Sequence, residues 1–120
     1  MNGFDFDGVI SLGIYPGPED IIITGRSFEE QAETISFIRS KNIQNIIYFN
    51  PQPFSKKSRK SSGIYKAKKI KELGITRFFE DDPVQIKEIL KINPDLEIIY
   101  IKHNLEPKEN VRRNSKNEIV

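Results

Sequence analysis

Two aspartates stand one residue apart in the run Phe4-Asp5-Phe6-Asp7-Gly8-Val9, and a second acidic pair, Asp81-Asp82, stands directly before Pro83. Carboxylates in such groups hold Mg²⁺ through hard oxygen ligands. A bound divalent ion neutralises phosphate charge and lets a carboxylate approach phosphorus. Thr24-Gly25-Arg26 adds a hydroxyl, a glycine amide and a guanidinium at the start of a predicted helix, where anions are favoured. Lys66, near the start of the next predicted helix, supplies a cation for a charged transition state; Lys68 and Lys69 are weaker candidates. Asn50 follows a third apolar run and either lines the same place or makes an Asn-Pro turn. The residue types fit phosphoryl transfer.

These groups need elements to bring them together. Met1–Asp7 reads as a first strand ending in aspartate. Residues 8–19 hold three glycines and two prolines, which predicts a loop or small flap hairpin. Asp20–Thr24 (DIIIT) is a short continuous apolar run, of the kind buried on both faces of a parallel sheet. Ser27 with Glu30 forms a capping-box pattern, and Phe28, Ala32, Ile35, Phe37 and Ile38 make a broad helical stripe after it. Ile46–Phe49 is a third strand and 50–62 a loop. Ile64–Leu73 is a helix closed by Gly74, and Thr76–Phe79 a fourth strand. Pro83 opens a helix to about Ile92, and Leu96–Ile101 is a fifth strand. Alternating strands and helices predict an α/β, three-layer Rossmann-like domain over 1–103 with a mostly parallel, five-stranded sheet. Residues 104–120 form a charged tail without periodicity, a composition that favours disorder. In a parallel sheet Asp5, Asp7, Thr24, Asn50, Asp81 and Asp82 all fall at carboxyl ends of strands, along one edge where ligands bind.

Composition narrows the chemistry. The chain has 120 residues, 30% of them charged, a net charge of +2 and no cysteine. Thiolate nucleophiles, thiolate zinc sites and disulfides are therefore excluded, and the single histidine, His103, is insufficient for a histidine-rich zinc site. No apolar run approaches a membrane span, and a soluble, cytoplasmic protein without a membrane partner is the expectation. No P-loop, nucleophile elbow or dinucleotide fingerprint is present. The basic run Lys56, Lys57, Arg59 and Lys60 reads as a solvated loop or as a guide for a polyanion.

The ordered set of strand-end motifs resembles the haloacid dehalogenase superfamily. Phe4–Val9 is similar to its Asp-x-Asp-Gly motif, Ile23-Thr24-Gly25-Arg26 to its strand-ending Ser/Thr motif, Tyr65-Lys66-Ala67 to its lysine motif, and Phe78–Pro83 to its acidic motif. The four occur in family order over about residues 3–83. The resemblance implies a nucleophilic Asp5 that forms an aspartyl-phosphate, and an Asp7 that passes the proton. It implies Mg²⁺ held by Asp5, the backbone carbonyl of Asp7, and Asp81 or Asp82. Thr24 and Lys66 would orient the phosphoryl group, and Gly25 and Arg26 would contact substrate. The short Asp7–Thr24 interval implies a minimal member with no cap domain and an open site. Its expected partners are a phosphorylated small molecule or a nucleic-acid end, with oligomeric state open. The competing reading is a catalytically inactive or receiver-like binding domain. In that reading Asp81-Asp82 is a helix cap, Thr24-Gly25-Arg26 a helix start, and Lys66 one solvated lysine among many. His103 reads as a loop residue.

Overall fold

The computed structural model describes residues 1–105. Its elements are β1 Asn2–Phe4, β2 Ile21–Ser27, α1 Gln31–Ser40, β3 Ile47–Asn50, α2 Arg59–Leu73, β4 Arg77–Glu80, α3 Pro83–Ile92 and β5 Glu97–Tyr100. Every strand pairing in the sheet is parallel, and the strand order is β3-β2-β1-β4-β5. The chain winds outward from β1 to β3, then returns through α2 to lay β4 on the other side of β1. The order therefore reverses between β1 and β4, the place where open α/β sheets bind ligands. This is a Rossmann-like α/β domain.

The core has two halves because strand side chains alternate in direction. Ile22 packs with Phe4, Phe6, Val9, Ile10 and, from α1, Ile38. Its neighbours Ile21 and Ile23 pack on the opposite face with Ala67 and Ile70 of α2 and Ile89 of α3. β4 divides in the same way: Phe79 stacks on Phe4 with ring centroids 4.2 Å apart, while Phe78 joins the α2–α3 side. Gly63 lets α2 and α3 approach, since a Cβ there would stand 2.9 Å from the Gln85 Cα.

Several expectations need correction. No hairpin forms within 8–19. Val9 and Ile10 are fully buried and draw that segment onto the core through a single 3₁₀ turn, Ile10–Leu12. Thr24 lies in β2 as expected, but β2 runs on to Ser27, with a register irregularity between Ile23 and Ser27, so Gly25 and Arg26 lie in the strand and not at a helix start. The Ser27–Glu30 capping box forms, but it opens a 3₁₀ turn that precedes α1. The apolar stripe of α1 is narrower than expected, with Thr34 and Ile38 buried and Phe28 57% exposed. α2 begins at Arg59, before the expected Ile64, because Ser58 accepts from the Ser61 N–H and Ser61 reciprocates. Gly74 closes α2 in the left-handed conformation and Pro83 occupies the first turn of α3, both as expected. Most of the expected tail, from 106 on, lies outside the described residues. No helix among the described residues is long and apolar enough to cross a membrane.

Candidate functional site

β1 and β4 are neighbours, and their carboxyl ends bring three acids together. Asp5 follows β1, and its N–H continues the ladder to the Phe79 carbonyl at 3.0 Å. Glu80 ends β4 and Asp81 follows it. Carboxylate oxygens of Asp5, Glu80 and Asp81 lie within 4.8 Å of one another, and all three side chains are buried. Lys66 reaches this trio from α2. Its Nζ lies 2.8 Å from Asp5 Oδ1 and 2.8 Å from Glu80 Oε1, and the residue is fully buried. Ser62, Gly63, Ala67 and Ile70 are buried on the same helix face, so the helical period itself carries Lys66 inward. Lys68 is exposed, and Lys69 pairs with Glu72.

Backbone amides hold the acids in place. The Phe6 N–H donates to Asp5 Oδ1 at 2.8 Å, and those of Asp81 and Asp82 donate to Glu80 Oε2 at 3.0 and 3.3 Å. Asp81 Oδ2 sits 2.7 Å from His103 Nε2, contributed by the segment after β5. Gly8 is required beneath this pair. Its φ is +81°, and a Cβ would stand 1.9 Å from Asp81 Oδ2. Three carboxylates around one ammonium leave an excess of buried negative charge, which a divalent cation would offset. The donor set, all oxygen, suits a hard ion.

The other expected residues take different places. Asp7 is gripped at two points by Arg26, Nε to Oδ2 at 2.8 Å and Nη2 to Oδ1 at 2.9 Å. Arg26 also donates to Glu33 and Thr34 and lies over the Phe6 ring, 4.9 Å from its centroid. Thr24 is buried, and its hydroxyl accepts from the Arg26 N–H at 3.1 Å, so it holds the strand that carries the guanidinium. The Gly25 carbonyl accepts from Lys57 at 3.2 Å. Asp82 caps α3 by accepting from the Val84 N–H and pairs at two points with Arg59. That hydrogen bond, followed by the coulombic pull of Asp82 and Asp81, raises the Arg59 pKa against the opposing effect of burial. The carboxylate of Asp82 is thus occupied by a cap and a guanidinium, while that of Asp81 joins the trio. Asn50 is buried at the end of β3. It accepts from the Gln52 N–H, donates to Ser62, and borders a separate hollow beside Tyr65 and Lys68.

Two participants escaped sequence reasoning. Glu80 was hidden because the expected strand stops at Phe79 and the Asp81-Asp82 pair beside it carries the stronger signal, whereas β4 extends through Glu80. His103 had no local signal at all. The basic run is also spent differently: Lys57 is buried against Glu30 and Arg59 pairs with Asp82, leaving Lys56 and Lys60 on the surface.

Beside the trio opens a cavity of about 370 Å³. Asp7, Arg26, Asp81 and His103 form its polar wall, and Phe37 and Leu12 an apolar one. Comparisons with protein-family models, with characterised proteins and with solved structures returned no match.

Proposed function

We propose that this chain is a divalent-cation-dependent phosphomonoester hydrolase of the kind its resemblance to the haloacid dehalogenase superfamily implies. The support is convergence. Asp5, Lys66 and Asp81, matched to three motifs far apart in the chain, meet at the reversal point of the sheet. Asp5, Glu80 and Asp81 would hold the ion, and Mg²⁺ is the one the resemblance implies. When bound, a divalent ion neutralises phosphoryl oxygens so that a carboxylate can approach phosphorus.

In this reading an Asp5 oxygen attacks phosphorus, and the bond from phosphorus to the leaving oxygen breaks. Asp7, protonated once Arg26 turns from it to the phosphate, gives that oxygen its proton. A water molecule then loses a proton to Asp7 and attacks the aspartyl-phosphate, releasing inorganic phosphate and restoring the Asp5 carboxylate. Lys66 orients Asp5 and offsets charge at the reacting centre. Because Asp7 lines the cavity, the leaving group lies there. Its size and mixed lining suit a phosphorylated small molecule or a nucleic-acid end. Thr24 acts through Arg26, and Arg26 faces substrate across the same wall.

One observation favours a second reading, a binding or regulatory domain without turnover: the Asp5 side chain has no solvent exposure, and Lys66 is bonded to it. Hydrolysis of p-nitrophenyl phosphate with and without Mg²⁺ separates the two. The hydrolase reading expects Mg²⁺-dependent turnover that Asp5→Asn abolishes. Cation binding without turnover would support the binding domain, and full turnover by Asp5→Asn would remove Asp5 from the nucleophile's role.

A further inference from the structure

His103 is the only histidine in the chain, and it comes from the segment after β5, the last strand at that side of the sheet. Its two ring nitrogens are both engaged. The Leu105 N–H donates to Nδ1 at 3.0 Å, so Nδ1 is an acceptor and carries no proton. The ring proton therefore sits on Nε2, which donates to Asp81 Oδ2 at 2.7 Å. The contact is a hydrogen bond from a neutral imidazole of fixed tautomer. The His103 side chain is only 15% exposed, and Gly8 closes the other side of the pair, its missing Cβ falling 2.8 Å from Nε2. Asp81 is thus held between a histidine and a glycine that has no room for a side chain. Of the three acids it is the one that borders the cavity.

We propose that His103 is a positioning residue for the cation site. It holds the Asp81 carboxylate facing Asp5 and Glu80, so the affinity of the trio for a divalent ion depends on a residue beyond β5. The inference rests on reading the trio as a cation site. Partners that orient a ligating carboxylate commonly contribute roughly 10–100-fold to metal affinity. The same bond ties the segment after β5 to the end of β4.

The test uses the full chain and Mn²⁺ as the probe, with free Mn²⁺ read by electron paramagnetic resonance. His103→Leu removes the donor and should weaken binding roughly 10–100-fold. His103→Gln places an amide N–H near the position of Nε2 and should restore most of the affinity, which a purely space-filling role would not predict. Should His103→Leu fail to fold, Leu105→Pro removes the N–H that fixes Nδ1 from an exposed position and should weaken Mn²⁺ binding severalfold. Wild-type affinity in a folded His103→Leu protein, or in Leu105→Pro when the former does not fold, overturns the positioning role and leaves the trio intact as a cation site. An absence of Mn²⁺ binding in the wild-type chain overturns the trio itself, and the positioning role with it.

Discussion

Arg26 binds both carboxylate oxygens of Asp7 across a separation of nineteen residues. Fork-to-fork pairing of this type is specific in geometry and favours the ionised carboxylate. In the proposed reading the same guanidinium would receive a phosphate oxygen, so substrate and Asp7 would compete for it. Asp7→Asn should slow turnover by roughly 10²–10⁴-fold, the usual contribution of a positioned acid or base. Mn²⁺ affinity should stay unchanged, because the Asp7 carboxylate is outside the trio. Loss of cation binding in that variant would contradict the assignment. Arg26→Met strands a buried carboxylate and should lower unfolding free energy by about 3 kcal/mol, read from urea denaturation.

Lys66 joins two carboxylates with no solvent contact. Lys66→Met keeps the side-chain volume and removes the charge, which should cost about 3–5 kcal/mol in the absence of a divalent ion. Millimolar Mg²⁺ should return part of that loss, since an ion that binds only the folded state stabilises it by mass action. A urea midpoint that falls and does not respond to Mg²⁺ would show that the trio does not need a cation to offset its charge.

Asp81 and Asp82 have separable jobs. Asp81→Asn should abolish Mn²⁺ binding with little effect on α3. Asp82→Ala should leave binding intact while lowering stability by about 1–2 kcal/mol through loss of the cap. Calorimetric unfolding and Mn²⁺ titration of both variants decide this. The reverse pattern would assign the ligand to Asp82.

Gly8→Ala combines a left-handed backbone with a collision against Asp81 Oδ2. It should cost about 1–3 kcal/mol and weaken cation binding, because relief requires Asp81 to move. A folded Gly8→Ala protein with unaltered Mn²⁺ affinity would show that Asp81 has more freedom than its contacts imply.

Burial pushes the Tyr65 phenol up to about 12. Its folded-state pKa is therefore above the ordinary value of about 10. The neutral form is favoured in the folded state, so the contribution to stability is complete below about pH 10 and declines as pH rises toward about 12. Tyrosinate absorbance should show one of the four tyrosines ionising late. Tyr65→Phe should flatten the alkaline decline in unfolding free energy, and an unchanged slope would mean that Tyr65 is not its source.

The helix starts and stops at Ser27, Gly74 and Pro83 were legible because caps and breakers act through local geometry. The Ile21–Ile23 run declared itself a two-faced strand for a similar reason: its apolar character does not alternate. The start of α2 was missed because Ser58 and Ser61 cap each other inside a stretch that looks like loop. That Gly25-Arg26 belong to the strand is not legible, because β2 continues past Thr24 across a register irregularity that has no composition signal.

Local pattern determined that acids, a threonine and a lysine would gather at the carboxyl edge of a parallel sheet. Strand order decided which of them meet. Laying β4 beside β1 joined Asp5 to Glu80 and Asp81, while the turn after β4 sent Asp82 to the helix cap and to Arg59. It also brought His103 to Asp81, across a distance in sequence that no short-range rule spans. Periodicity reports the direction of a side chain relative to its own backbone. The partner it finds depends on how separate elements pack, and that is a property of the whole fold.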